Sequence, residues 1–231
     1  MMTFDLYGFG PALAAGALMT IKLALAALAL GLVLGLLGAL AKTSAYKPLQ
    51  WLGGTYSTLV RGVPELLWVL LIYFGTVNLM RSFGEVFGLA NLTLSAFAAG
   101  TIALGLCFGA YATEVFRGAI LSIPRGQHEA GLALGLSKTR IFWRVILPQM
   151  WRIALPGLGN LFMILMKDTA LVSVIGLEEI MRQSQIAVSV SKQPFNFFMI
   201  AAGIYLCLTV LAMTAMYFLE KRAGRGIRRS A

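Results

Sequence analysis

Five long apolar stretches decide what this chain can become. They run from about Leu13 to Ala41, Tyr56 to Met80, Leu94 to Phe116, Leu155 to Ile175 and Phe197 to Leu219. Each is long enough for the roughly 20 residues that an α-helix needs to cross a bilayer. Lipid offers the backbone no hydrogen-bonding partner, so each stretch must satisfy its own N–H and C=O groups as a helix. The composition agrees. Of 231 residues, 59% are hydrophobic and only 12% charged, and mean hydropathy is +0.82. A soluble domain carries roughly 25% charged residues, so this chain has too little polar surface to cover a globule. The expectation is an all-α integral membrane protein with five transmembrane helices. No internal repeat or linker divides it, so residues 1–231 read as one domain with a core of about 13–220.

The net charge of +10 follows the loops. Lys42 and Lys47 follow the first span. Arg125, Lys138, Arg140, Arg144 and Arg152 lie between spans three and four, and Lys221, Arg222, Arg225, Arg228 and Arg229 follow span five. The remaining loops are balanced, with Arg81 against Glu85 and Arg182 and Lys192 against Glu178 and Glu179. The positive-inside rule then puts the N-terminus in the periplasm and the C-terminus in the cytoplasm. No basic patch is interleaved with stacking aromatics, so nucleic acid is not the partner; membrane lipid is. The opening MMTFDLYGFG has no basic n-region, so the first span reads as retained rather than as a signal peptide.

Other chemistry has little to build on. Cys107 and Cys207 lie in separate apolar stretches and read as small core residues, not as a disulfide or zinc pair. His128 is the only histidine, so neither a metal site nor a His-based triad is expected. Gly31 and Gly35 form a small-xxx-small pair in span one, which lets helices approach closely.

Between spans three and four, over about 118–154, the chain breaks its apolar habit. HEAGLALGLSKTRIFWRVILPQ (128–149) is amphipathic and basic. Small residues Ala130, Gly131, Ala133 and Gly135 follow Glu129, Ser137 is placed to cap a second helix, and that helix is expected to end at Pro148. Taken alone, this is an interfacial helix on anionic lipid, with Phe142 and Trp143 at headgroup level.

The spacing adds more. Glu129 and Ala130, Gly135 six residues after the Glu, then Val145, Leu147 and Pro148 resemble the "EAA" loop of binding-protein-dependent ABC importer permeases. Gly131 stands where a second Ala is usual, and Val145 where Ile is. The resemblance implies the type I ABC importer permease fold, with this segment as a cytoplasmic coupling-helix hairpin. Glu129, Ala130, Gly131, Gly135, Leu147 and Pro148 would then dock on an ATPase subunit. Four further elements are similar to polar amino acid permeases: Arg61-Gly62-Val63-Pro64-Glu65, the run from Gly109 to Ala119, Ala154-Leu155-Pro156-Gly157, and the run from Lys167 to Val172. Together they cover essentially the whole chain, and they resemble most the Q-type permeases of histidine/lysine/arginine/ornithine and opine importers.

Charges inside the apolar stretches point the same way. A charged side chain at mid-bilayer costs about 2.5–3.5 kcal/mol on insertion scales, so Glu65, Glu114 and Asp168 each need a reason. One reading makes them structural ion pairs: Arg61 with Glu65, Glu114 with Arg117, and Lys167 with Asp168. The first two have helical i,i+4 and i,i+3 spacing, whereas Lys167 and Asp168 are adjacent and do not share a face. The other reading makes Glu65 and Asp168 a route for a cationic amino acid, with Tyr111, Thr113 and Thr169 as polar contacts and Arg61 and Glu114 on the same pathway. Lys167 then either neutralises Asp168 or meets the substrate carboxylate.

The chain carries no G-x-x-x-x-G-K-[ST] phosphate loop. By the resemblance it binds no cofactor, is not an enzyme by itself, and relies on ATP and Mg held by a partner ATPase dimer. A periplasmic binding protein and a second permease, as heterodimer or homodimer, complete the implied importer. Its cargo is basic amino acids or opines, with neutral or acidic polar amino acids as the alternative. A stand-alone secondary transporter fails for want of an inverted repeat, and an intramembrane enzyme for want of a nucleophile–base or metal motif.

Overall fold

The computed structural model describes residues 7–87 and 94–224, apart from the side chains of 79–87. Arg225, Arg228 and Arg229, and the side chains of Arg81 and Glu85, therefore lie outside the described residues. All regular structure among them is helical: α1 Gly10–Thr43, α2 Lys47–Gly62, α3 Glu65–Phe87, α4 Ala96–Leu121, α5 Arg125–Ala133, α6 Lys138–Ile141, α7 Leu147–Asp168, α8 Ile180–Ser191 and α9 Pro194–Ala223. A wide π turn over Phe142–Ile146 joins α6 to α7, and a tight 3-10 turn over Thr169–Ile175 extends α7. Three single helices, α1, α4 and α9, are long and apolar enough to cross a membrane, as is the continuous run Lys138–Ile175.

The fifth crossing departs from the sequence expectation. The apolar stretch from Tyr56 to Met80 is not one helix. It is bent by 103° between Lys47–Gly62 and Glu65–Asn78. The cause is Pro64, which has no N–H to give the carbonyl of Val60, and which pushes Val63 into extended backbone at φ −113°, ψ 135°. The Trp68 indole N–H donates to that Val60 carbonyl instead, at 3.1 Å. Arg61 and Glu65 are thus on different helices, and the i,i+4 pair that a continuous helix would make does not form.

The core sits where α1 packs along α4. Lipid tails give apolar helices no reason to associate, so close approach and polar contacts must do it. Gly31, Gly35 and Gly38 are buried against α4. A Cβ added at Gly35 would lie 2.6 Å from the Ala112 Cβ, and one at Gly31 would lie 2.9 Å from the Gly105 carbonyl oxygen. The α4 helix answers with its own glycine, since a Cβ at Gly109 would sit 2.8 Å from Leu34. Tyr56 ties α2 to this pair by donating to the Leu106 carbonyl at 2.9 Å.

The segment after the fourth crossing also holds a helix that the apolar pattern does not announce. Glu179 caps α8, its carboxylate accepting from the N–H of Met181 at 2.9 Å and of Arg182 at 2.8 Å. It is fully buried and also accepts from the Tyr205 hydroxyl of α9 at 2.8 Å. Burial pushes its carboxyl above the ordinary value, and these donors pull the other way.

Candidate functional site

The hairpin between α4 and α7 is a built turn. The α5 helix ends in paired reverse bonds, Leu136 N–H to the Gly131 carbonyl at 3.1 Å and Gly135 N–H to Leu132 at 2.9 Å. That closure needs a left-handed residue, and Gly135 supplies it at φ +72°. Ser137 then accepts from the Arg140 N–H at the start of α6. Gly131 is buried, and a Cβ there would lie 2.7 Å from the side chain of fully buried Ile141. The glycine in place of alanine leaves room for this close approach of α5 to Ile141.

The outer surface of the hairpin carries Glu129 and Ala130, both exposed, and Leu134, 80% exposed. Among the described residues Glu129 has no ion pair. Leu147 and Pro148 sit elsewhere. The second helix does not stop at Pro148: the π turn, with Leu147 N–H bonded to the Phe142 carbonyl, carries the chain past the missing proline N–H and into α7. Leu147 is half-buried against the core, and both residues line a groove between α7 and α1.

The three carboxylates divide into two environments. Glu114 is surrounded by donors. Lys42 of α1 pairs with its Oε1, and Ser57 of α2 donates to the same oxygen at 3.1 Å. Arg117 Nε donates to Oε2 at 2.9 Å, and Arg61 stands 3.9 Å away. One carboxylate thus ties α1, α2 and α4 together. The pair with Arg117 forms as the i,i+3 spacing indicates, whereas Lys42 is 72 residues away in the chain.

Glu65 and Asp168 have a different setting. They line one small cavity with Cys107 and Tyr111 of α4 and Ile164 of α7. Glu65 opens α3, whose first-turn N–H groups favour a negative charge, and it accepts from the Tyr111 hydroxyl at 3.2 Å. Neither carboxylate makes an ion pair among the described residues. Lys167 is exposed beside Asp168 but does not bridge to it. Tyr111 connects the two environments: its hydroxyl meets Glu65, and the Arg61 guanidinium lies 5.3 Å from its ring centroid.

Thr113 and Thr169 lie outside this cavity. Both are fully buried. Thr113 donates to the Gly109 carbonyl at 2.8 Å and faces Gly38 of α1; Thr169 donates to Met166 at 2.7 Å and lies beside Tyr205. The sequence pattern passed over Lys42, Cys107 and Glu179. Of these, only Lys42 carried a usable signal, as a cation at the end of an apolar span that needs an anion.

Comparison with known proteins agrees with this architecture. The family model for the binding-protein-dependent transport system inner membrane component matches residues 31–225. The chain is 41% identical over 230 residues to the arginine ABC transporter permease protein ArtQ of Escherichia coli (strain K12), covering 94% of this chain and 97% of that one. It is 42% identical over 230 residues to the octopine transport system permease protein OccQ of Rhizobium meliloti, covering 99% and 97%. It is 38% identical over 225 residues to the histidine/lysine/arginine/ornithine transport system permease protein HisQ of Escherichia coli (strain K12), covering 97% and 99%. Among solved structures, an amino acid ABC transporter with histidines matches with a TM-score of 0.79 at 35% identity, covering 96% of this chain and all of that one. The inward-facing MetNI methionine ABC transporter matches at a TM-score of 0.77 and 17% identity, covering 94% and 98%, a likeness of fold. A helical bundle bent at Pro64, with a hydrogen-bonded hairpin between its third and fourth crossings, thus belongs to the family of binding-protein-dependent transport system inner membrane components, as a multi-pass ABC importer permease.

Proposed function

We propose that this chain forms half of the membrane pathway of an ATP-driven importer of basic amino acids or opines, and that Glu65 and Asp168 contact the positive end of the cargo. The observation that carries this reading is the pair of carboxylates on one cavity, neither of which makes an ion pair among the described residues. Two negative charges in a low-dielectric setting are costly when unpaired, and a guanidinium or ammonium group offsets that cost. Tyr111 orients Glu65, and Lys167 stands at the edge for the cargo's carboxylate. The relatives named for arginine, octopine and histidine/lysine/arginine/ornithine support the choice of cargo.

The rest of the machine follows from what this chain lacks and what it presents. An ATPase dimer on other chains holds ATP and Mg, and receives the hairpin through exposed Glu129, Ala130 and Gly135, while buried Gly131 holds α5 on α6. Leu147 and Pro148 carry its movement into α7, so that nucleotide-driven closure becomes rigid-body rocking of the spans. A second permease closes the pathway, and a periplasmic binding protein delivers cargo. The hairpin faces the cytoplasm, the N-terminus faces the periplasm, and residues 1–231 act as one transmembrane domain.

The test is ATP-dependent uptake of labelled arginine, histidine and octopine into proteoliposomes holding the complete transporter, with the binding protein added. Glu65→Gln and Asp168→Asn are expected to lower uptake while basal ATPase activity is kept, and Glu129→Arg to lower both uptake and ATPase coupling. Uptake by the two carboxamide variants equal to the parent would sink the cargo site. Uptake without ATP would sink the importer.

A further inference from the structure

A second cavity, a groove of about 590 Å³, opens at the hairpin end of the bundle between α1, α7 and the end of α9. It shares no lining residue with the Glu65–Asp168 cavity. Val33 and Leu36 of α1 and Leu147 of α7 make its apolar wall. Trp151, Arg152 and Arg222 also line it. The two arginines come from different helices, and neither has an acidic partner among the described residues.

We propose that this groove binds one anionic phospholipid, with an acyl chain against Val33 and Leu36 and the phosphate between Arg152 and Arg222. The first argument is access. The outer face of α1 is open at the groove and beside it, with Val33 and Leu37 each 58% exposed, so in a membrane the groove faces lipid. The second is depth. Trp151 in the groove, and Tyr217 one turn before Lys221 and Arg222, are the amphipathic rings that settle at the headgroup level. The arginines beside them therefore meet phosphate, not hydrocarbon. The third is charge. Guanidinium groups bind phosphate oxygens in a fork, and basic pockets between membrane helices select acidic headgroups. The chain's own tail does not complement the site: residues 225–231 carry Arg225, Arg228 and Arg229 and no acidic residue.

The experiment is native mass spectrometry of the full chain, purified with its partner subunits from nanodiscs of equal phosphatidylglycerol and phosphatidylethanolamine. The parent is expected to retain about one phosphatidylglycerol per copy of this chain, with roughly a tenfold preference over phosphatidylethanolamine. The double variant Arg152→Gln/Arg222→Gln should lose that preference, and Arg152→Lys/Arg222→Lys should keep most of it. Both pairs are exposed positions, so the bundle tolerates the change. Val33→Trp, which fills the groove and leaves both arginines, should displace the lipid. Equal retention of the two lipids by the parent, unchanged retention in the glutamine variant, or cross-linking of the groove from Val33→Cys to a partner subunit instead of to lipid would each overturn the proposal.

Discussion

Glu114 and the Glu65–Asp168 pair lie in the same bundle, and α4 borders both. Around Glu114 the chain supplies Lys42, Arg117, Arg61 and Ser57. Around Glu65 and Asp168, among the described residues, it supplies the Tyr111 hydroxyl, the first turn of α3 and Lys167 nearby, but no ion pair. The cost of a carboxylate in this environment is the same in kind at both places, so the difference lies in who offsets it. At Glu114 the protein does, and the result is a joint between three helices. At the cavity no ion pair supplies that offset among the described residues, and under the proposed function the cargo's positive group does. A membrane carboxylate is thus read by its partners and not by its depth.

Four substitutions sharpen that contrast, taken from the largest effect to the smallest. Glu114→Ala leaves Lys42, Arg61 and Arg117 without their anion. With the site about a quarter exposed, the expected loss of stability is about 3 kcal/mol, between the exposed and fully buried limits. It is measured as early thermal unfolding of the complex in detergent. If Glu65→Ala destabilised the complex as much, the two environments would not differ as described. Gly131→Leu should force α5 off Ile141 at about 1–3 kcal/mol. Its readout is uncoupling of cargo-stimulated ATPase activity with cargo binding kept, and normal coupling would show that the hairpin tolerates the wider spacing.

Asp168→Asn comes third. Uptake of arginine should fall at least tenfold, roughly 1.4 kcal/mol, with the melting temperature of the complex unmoved. Tyr111→Phe removes one hydrogen bond to Glu65, so a loss of about 0.5–1.5 kcal/mol is expected. It should appear as a few-fold rise in KM for arginine with little change in the maximal rate. No change in KM would mean that Tyr111 does not orient Glu65.

The sequence carries the outline of this architecture well and its joints poorly. Apolar length marks the crossings because lipid demands it, and the hairpin is legible because Gly131, Gly135 and Ser137 each fill a local need. The 103° bend is harder to read, since Val63-Pro64 sits inside one uninterrupted apolar stretch. Helix α8 is short and only half apolar, and its cap is Glu179, outside the usual Ser, Thr, Asp and Asn. The partners of Glu114 show why local spacing misleads. Arg117 is found by i,i+3 counting, but Lys42 comes from the packing of α1 on α4, which glycines set and no periodicity reports. Thr113 and Thr169 share the polar character of the cargo route in sequence, but packing turns one toward Gly38 and the other toward Tyr205.

Contact of Glu65 and Asp168 with a positive charge is tested by equilibrium binding of arginine and of its neutral isostere citrulline to the purified complex without binding protein. The parent is expected to prefer arginine by tenfold or more, and Glu65→Gln/Asp168→Asn to abolish the preference while the complex stays intact. An arginine preference that survives in the double variant would contradict it.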